Sequence, residues 1–268
     1  MPSYAITGAS RGLGHEFINQ LSSDESNEVF ALVRNPSTAT KLQILAASRK
    51  NIHIIKCDVS EPLELVAAAM SVAEVTGGTL DVLIHNAASI NMASVGLYPS
   101  EYTPDKADFT REVFNEAMGT TVYGAIWATN AFLSLIENGQ EKKIVHISSG
   151  MADTDLIVKT DFAHALPLCA TKAALNVLVA KFAVELRGKG IKVLAISPGW
   201  VDTIEGSKLP RMEAAIRALL DQFQKAKPDL QGPISPQDSV RLQLKVIANL
   251  DEKMSGKFIS HHGDQNWF

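Results

Sequence analysis

Three glycines in the segment TGASRGLG have the spacing of an anion-binding turn. They stand at positions 8, 12 and 14, between a short apolar run and the start of a helical pattern. Glycine there lets the backbone approach a pyrophosphate, and the following helix N-terminus adds amide donors and a favourable dipole. The turn therefore predicts a dinucleotide site, with a tight strand–helix connection as the alternative. Its predicted binding residues are Gly8, Ser10, Arg11, Gly12, Leu13 and Gly14.

Three further segments predict the rest of a nucleotide site. Arg34 follows the second apolar run, where an NAD-binding fold usually carries an acid for the ribose 2′-hydroxyl. An arginine instead suits a 2′-phosphate, which favours NADP(H), and Arg11 can join it; a solvated surface arginine is the alternative for Arg34. Asp58, followed by Val59, closes the third run and is placed for an adenine amino group. The segment HNAAS at 85–89 follows the fourth run.

Short apolar runs alternate with longer amphipathic stretches, and these elements must position the nucleotide residues. Strands are predicted near 3–7, 28–33, 52–56, 81–85, 143–148, 191–196 and 257–260. Helices are predicted near 12–22, 38–48, 62–76, 107–137, 165–188 and 236–249. Nearly continuous apolar strands separated by helices indicate an α/β fold of the Rossmann type, with a doubly wound parallel sheet of about seven strands flanked by helices on both faces.

Composition narrows the class of protein. The 268 residues fit one domain over 1–268, with 204–234 as a polar segment that is predicted to form a substrate lid. A net charge of −4 gives no electrostatic case for nucleic acid or an anionic membrane. No apolar run approaches the length of a membrane span, and the chain starts directly in a strand without a signal peptide. Two distant cysteines predict a reducing, cytoplasmic location, and the histidine spacing predicts no metal.

The order of these motifs resembles that of the short-chain dehydrogenase/reductase superfamily. The glycine turn, the strand-end Asp58, Asn-Ala-Ala, ISSG, a helix with a lysine and SPGWVDT follow one another as in that family. The likeness covers nearly the whole chain and is strongest to the small carbonyl reductases and to fungal ketoreductases of secondary metabolism. It implies NADP(H) binding, with Asn86, Ala87 and Ala88 at the adenosine ribose. It also implies a nicotinamide and phosphate segment, whose matching residues are Pro198, Gly199, Val201 and Thr203.

The catalytic pattern of that family is only half present. The resemblance implies four groups: an asparagine in the long fourth helix, a serine, and a Tyr-x-x-x-Lys pair whose tyrosine donates the proton. Ser149 takes the serine position, and Lys172 takes the lysine position, where it would bind the cofactor ribose. Thr121 falls at the asparagine position, although Asn115 lies one or two turns earlier. Leu168 stands at the tyrosine position and can neither donate nor accept a proton.

The segment between Ser149 and Leu168 offers other proton donors. It spans 19 residues, which is longer than is typical of the family, and carries Asp153, Asp155, Asp161 and His164. Asp161 and His164 are nearest the helix start, and Asp161 is taken as the replacement catalytic residue, because a carboxylic acid in an apolar pocket can hold its proton near neutral pH. A solvated loop residue or a helix cap is the alternative for each of them.

Three hypotheses for the function follow. The first is an atypical NADP(H)-dependent reductase that acts on a bulky apolar electrophile such as an iminium ion, an enone or an activated carbonyl. The resemblance to fungal ketoreductases implies a role in natural-product biosynthesis for it. Its pocket would be lined by Leu168, Trp200, Thr121 and Tyr98. The second is a cyclase, Diels–Alderase or isomerase that uses the cofactor as a scaffold, alone or together with reduction. The third is a non-catalytic NADP(H)-binding regulator. The family resemblance also implies a homodimer or homotetramer through helices 107–137 and 165–188. The alternative is a monomer, in which the lengthened loop before Leu168 obstructs that interface as in the monomeric carbonyl reductases.

Overall fold

The computed structural model describes residues 1–203, 206 and 210–268. Seven strands form one parallel sheet in the order β3-β2-β1-β4-β5-β6-β7, which confirms the predicted doubly wound fold. The strands are β1 Ser3–Thr7, β2 Glu28–Val33, β3 Ile52–Lys56, β4 Val82–His85, β5 Lys143–Ile147, β6 Lys192–Ser197 and β7 Phe258–Ser260. The strand order reverses between β1 and β4, and ligands of such sheets bind in the crevice at the carboxyl ends of the strands at this point.

Helices cover both faces of the sheet. They are α1 Gly12–Leu21, α2 Thr40–Ser48, α3 Pro62–Thr76, α4 Ala107–Met118, α5 Gly124–Asn138, α6 Thr154–Thr160, α7 Leu166–Leu186, α8 Pro210–Phe223 and α9 Pro236–Ala248. One buried apolar cluster lies between the sheet and α3, α5 and α7. The second lies between the sheet and α1, α2 and α9. Because both faces are covered, the strands are apolar on each side, as their sequences predict.

The predicted helix 107–137 is divided in the structure. A π-helical turn, Gly119–Tyr123, separates α4 from α5. Gly124 follows it and packs against Val59, so that a Cβ at position 124 would lie 3.0 Å from the Val59 side chain. A π-helical turn inserts an extra residue and is frequent at functional sites. The turn places Thr121 inside the protein, where its side chain is fully buried.

The loop between β5 and α7 contains structure that the sequence pattern did not predict. Helix α6 begins after Asp153, whose carboxylate accepts a hydrogen bond from the Leu156 amide at 2.7 Å. Two residues in left-handed conformation then reverse the chain, Asp161 at φ 52° and Ala165 at φ 56°. The second reversal brings the Ala165 amide to the Val95 carbonyl at 3.1 Å. The start of α7 is thereby attached to the loop that follows β4.

Helix α7 is apolar along its length. Together with the turn that follows it, Leu166–Lys189, it is long and apolar enough to cross a membrane by length and composition, with a mean hydropathy of 1.4. Only 44% of that apolar window is buried, so part of its apolar surface faces outwards, including Val177 and Val184. The predicted lid at 204–234 lies partly outside the described residues; its described part contains α8.

Candidate active site

The glycine turn after β1 has the geometry of an anion site. Gly8 and Gly12 have φ angles of +67° and +56°, which side-chain-bearing residues rarely adopt. A Cβ on Gly14 would lie 2.2 Å from the Gly8 carbonyl oxygen, so this position excludes any larger residue. Arg11 stands at the N-cap of α1 without a side-chain cap, which leaves the first helical amides available to a ligand.

The segment after β4 fixes this turn from the side. The Asn86 amide Nδ2 donates to the carbonyl oxygens of Thr7 and Gly8, at 3.1 and 3.3 Å. The Thr7 hydroxyl accepts hydrogen bonds from the backbone amides of Asn86 and Ala87. Ala87 lies so close that a Cβ on Gly8 would be 2.9 Å from its Cα. The Asn86 side chain therefore holds the glycine turn, and Ala87 and Ala88 lie at its edge.

The predicted adenosine residues lie at the carboxyl ends of β2 and β3. Arg34 follows β2 and is exposed, as is Arg11 in the glycine turn. The Asp58 carboxylate accepts a hydrogen bond from the Ser60 amide at 2.9 Å, which fixes its orientation. Val59 is buried next to it. The structure thus provides a carboxylate and two exposed guanidinium groups at the sheet edge where the predicted adenosine phosphate would bind.

We expect Arg34→Asp to reverse the preference for the two nicotinamide dinucleotides. The arginine would lose its charge-assisted hydrogen bonds to a 2′-phosphate, each of which contributes about 1.5–3 kcal/mol, and the new acid would accept from a ribose hydroxyl. Titration of ligand fluorescence should show the Kd for NADPH rising about 10-fold or more and that for NADH falling. Arg187→Asp, at the opposite edge of the sheet, is the control. An unchanged NADPH affinity would exclude Arg34 from the site.

The segment after β6 is packed from behind by a histidine. Gly199 has φ +83°, and a Cβ there would lie 2.6 Å from the His261 ring. The Pro198 carbonyl accepts from the Ser239 hydroxyl at 2.7 Å. Val201 forms an isolated bridge with Ile234. Thr203 reaches back to the glycine turn, since its side chain is the group nearest a Cβ on Gly12, at 3.8 Å. The two predicted phosphate segments therefore face each other.

Ser149 and Lys172 lie at the carboxyl end of β5. The Ser149 hydroxyl accepts from the Met151 amide at 3.2 Å, which caps a short 3₁₀ turn. Lys172 is buried in α7, and its Nζ donates to the Ile147 carbonyl at 2.5 Å. Burial lowers the pKa of this lysine from 10.5 to about 8. The Ser148 hydroxyl donates to the Asn176 amide oxygen at 2.7 Å, which fastens the strand end to α7.

Leu168 lies one helical turn before Lys172 and lines a cleft. The cleft lies between the loop after β4, helix α4 and the first turn of α7. Its apolar lining residues are Ile90, Val95, Val113, Ala117, Ala165, Pro167 and Leu168. Ser89, Asn91, Ser94 and Glu116 add polar groups. An apolar wall therefore occupies the position that the family resemblance gives to a proton donor.

The position of Asp161 contradicts its assignment as the replacement proton donor. Its side chain is 71% exposed, and its carboxylate pairs with Lys225 Nζ at 2.6 Å. Asp161 ends α6 in left-handed conformation, and this reversal turns the side chain to the surface. It therefore lacks the apolar surroundings on which the prediction rested. His164 is half-buried instead, and its ring lies 4.4 Å from that of Tyr98.

The remaining predicted pocket residues, Trp200, Tyr98 and Thr121, have different surroundings. Trp200 packs edge-on against Phe223, with ring centroids 5.0 Å apart, and Phe223 also contacts Phe162 and Phe268. The Trp200 ring is therefore part of an aromatic cluster and not a free surface on which a substrate could stack. Tyr98 is half exposed. Thr121 is fully buried, and its hydroxyl has no hydrogen-bond partner among the described residues.

Two histidines that the sequence reading did not single out are also near the site. His85 and His146 are buried in adjacent strands, and Lys172 affects the pKa of both. The available signal was a histidine at or near the end of an otherwise apolar strand, one residue before Asn86 for His85 and three residues before Ser149 for His146. In the part of the chain that the structure describes, no three acidic, histidine or cysteine side chains could together hold a metal ion.

Known proteins resemble the chain over its whole length. A family profile described as short chain dehydrogenase matches residues 3–214. The short-chain dehydrogenase/reductase atnB of Arthrinium sp is 43% identical over all of both chains. The short chain dehydrogenase virK of Hypocrea virens is 35% identical, again over all of both chains. Among solved structures, the NADPH-bound carbonyl reductase from chicken fatty liver superposes with a TM-score of 0.79, at 28% identity over 98% of both chains.

Proposed function

The chain belongs to the short-chain dehydrogenase family of oxidoreductases, and from that premise we propose that it is an NADP(H)-dependent reductase of a bulky, apolar, activated electrophile. The substrate class comprises iminium ions, activated enones and activated carbonyl compounds. The nicotinamide cofactor of such enzymes supplies hydride when it is bound. The NADPH in the chicken carbonyl reductase structure and the exposed pair Arg11 and Arg34 support the phosphorylated form of that cofactor.

The observation that carries the proposal is the contrast between Lys172 and Leu168. The lysine keeps a buried ammonium at the carboxyl end of β5, although burial lowers its pKa to about 8 and so opposes its charge. The leucine one turn earlier removes the usual acid. The site therefore supports ligand binding by Lys172 without proton donation from position 168.

A substrate that already carries positive charge fits this arrangement. Hydride addition to an iminium carbon gives a neutral amine, so the step needs no proton from the protein. In this proposal the electrophile borders the apolar side chains of Leu168, Val95 and Val113, which line the cleft. The Ser149 hydroxyl remains able to hydrogen-bond a substrate heteroatom. A simple ketone, by contrast, gives an alkoxide, which requires an acid.

We expect the protein to oxidise NADPH in the presence of bulky cyclic iminium ions and to act at least about 100-fold more slowly on unactivated ketones. Stopped-flow absorbance at saturating NADPH measures both rates. A panel of imines, enones and activated carbonyl compounds that causes no NADPH oxidation would overturn the proposal. Turnover of such compounds at equal rates with NADP⁺ and NADPH would support the cyclase or isomerase hypothesis in its place.

A role in the biosynthesis of natural products is part of the proposal. Its support is the close similarity to the fungal proteins atnB and virK, over all of each chain. We also propose a homodimer or homotetramer, because Val177 and Val184 leave apolar surface on the outer face of α7. Tyr123 adds exposed aromatic surface beside it in the π-helical turn.

A further inference from the structure

Strands β5 and β6 end side by side, and each leads into a segment of the proposed site. Their register pairs Ile147 with Ile196. Ser149 lies two residues after β5, and Pro198 follows β6 directly. Under the proposed function, Ser149 contacts the substrate and the segment that begins at Pro198 contacts the nicotinamide. The spacing of these two strand ends therefore affects how closely the hydride donor and the electrophile approach each other.

One buried hydroxyl group joins the two segments. Ser197 is the last residue of β6 and is 1% exposed. Its hydroxyl oxygen accepts a hydrogen bond from the Gly150 amide at 2.8 Å and a longer one from the Gly199 amide at 3.4 Å. A serine hydroxyl oxygen has two lone pairs, so it accepts both hydrogen bonds at once. Ser197 therefore connects the turn that contains Ser149 to the segment after β6.

The backbone on both sides of Ser149 is held by hydrogen bonds. Before it, the Ser148 amide donates to the Ile196 carbonyl at 2.7 Å, and the Ser148 hydroxyl donates to Asn176 at 2.7 Å. After it, Gly150 is buried, and a buried amide requires an acceptor. The Ser197 hydroxyl is that acceptor. Loss of this hydroxyl would therefore release one side of Ser149 while the other side stays in place.

The C-terminal segment packs against both turns. A Cβ on Gly150 would lie 3.1 Å from the Trp267 Cβ, and a Cβ on Gly199 would lie 2.6 Å from the His261 ring. Trp267 in turn stacks on Phe258 of β7, with ring centroids 4.4 Å apart. Each turn is therefore held by two kinds of contact, which are packing against the C-terminal segment and a hydrogen bond to Ser197.

We propose that Ser197 is a positioning residue, whose hydroxyl fixes the spacing between Ser149 and the Pro198–Gly199 segment. The inference rests on the proposed function, in which these two parts contact the substrate and the nicotinamide. Because Ser197 is buried, it acts through the two amides and not by contact with a ligand. Hydride transfer requires close and aligned atoms, and a misplacement of about 1 Å costs about 100-fold in rate.

Ser197→Ala and Ser197→Cys test this role in the intact protein. Alanine removes the acceptor, whereas cysteine keeps a similar shape but offers only a weak acceptor. The preformed NADPH complex is mixed with a bulky cyclic iminium ion, and a single turnover is followed by absorbance. At saturating iminium ion, we expect the rate to fall about 10-fold or more in both variants, and the Kd for NADPH to stay within about 3-fold of wild type. NADPH deuterated at C4 should give a primary isotope effect on the slowed step.

Ser3→Ala is the matched control. Ser3 is also a buried serine of the sheet, but it lies at the first position of β1, and its hydroxyl donates to the Asp81 carboxylate at 3.1 Å. Its removal should lower stability against denaturant and leave the single-turnover rate unchanged. A rate loss in Ser3→Ala as large as that in Ser197→Ala would show that lost stability, and not altered spacing, slows the reaction.

Amide hydrogen exchange in the ligand-free protein tests the connection itself. The Gly150 and Gly199 amides should be protected in wild type and in Ser3→Ala, and should exchange about 5-fold faster in Ser197→Ala, because a hydrogen bond of this kind contributes modestly to stability. NMR measures both amides separately. Unprotected amides at these two positions in wild type would overturn the proposal, even if both Ser197 variants failed to fold.

Each result has one interpretation. Single-turnover rates equal to wild type in both Ser197 variants would overturn the proposal, as would a raised Kd for NADPH with an unchanged rate. If wild-type protein oxidises no NADPH with any iminium ion, the proposed function fails, and amide exchange alone decides whether Ser197 connects the two turns. Faster exchange of both amides in Ser197→Ala would then still support the connection, and unchanged exchange would contradict it.

Discussion

Lys172→Met is expected to give a protein that is more stable than wild type and nearly inactive. Burial lowers the pKa of Lys172 from 10.5 to about 8. One pKa unit corresponds to about 1.4 kcal/mol, so holding the ammonium inside opposes folding by about 3 kcal/mol at neutral pH. Methionine removes this cost and fills similar space, while the Ile147 carbonyl loses its partner, which costs about 1–3 kcal/mol. We expect a net gain of about 1 kcal/mol and a fall in kcat/KM of about 100-fold or more.

The pH dependence of unfolding tests whether the buried charge of Lys172 causes this difference in stability. Because the folded pKa lies below the unfolded one, the folded protein binds fewer protons between pH 8 and 10.5, and this group makes stability rise with pH in that window. Denaturant unfolding should show the rise in wild type and lose it in Lys172→Met. Lys181→Met, at an exposed position of the same helix, should change neither stability nor turnover appreciably. If Lys172→Met keeps full activity, Lys172 is not part of the active site.

The scaffold of the site could be predicted from sequence because its signals are local. Gly8, Gly12 and Gly14 follow an apolar strand closely. A Cβ on Gly8 or Gly14 would lie within 3 Å of other atoms, and Gly8 and Gly12 have φ angles that favour glycine. Strand periodicity then placed Asp58 and Asn86 at the correct edge of the sheet. Because all the strands are parallel, their carboxyl ends lie at one edge of the sheet, and residues that follow different strands are therefore predicted to lie at the same edge.

The groups that interact across elements could not be predicted in the same way. Distance along the chain favoured Asp161, but α6 and a left-handed residue turn it outwards to Lys225. The π-helical turn at Thr121 is invisible to a helical period, because one inserted residue hardly alters the apolar pattern. His85 and His146 are 61 residues apart in sequence, and only the register of β4 and β5 brings them together.

Leu168→Tyr is expected to add activity on simple ketones. The new hydroxyl would stand one helical turn before Lys172, whose ammonium favours the ionised form of a nearby phenol and so lowers its pKa. A positioned acid contributes roughly 10²–10⁴-fold, so turnover of unactivated ketones should rise about 100-fold or more. Steady-state NADPH oxidation with a series of ketones measures the gain.

Leu168→Phe is the matched control for this gain, because it adds the same ring without the hydroxyl. Tyrosine and phenylalanine should behave alike with iminium ions, whose reduction needs no proton, and should differ only with ketones. If both variants leave ketone turnover unchanged, the arrangement of Ser149 and Lys172 does not support acid catalysis from position 168. The substitution of the usual tyrosine would then reflect a site already committed to another reaction, and the cofactor-scaffolded cyclase or isomerase would become the better hypothesis.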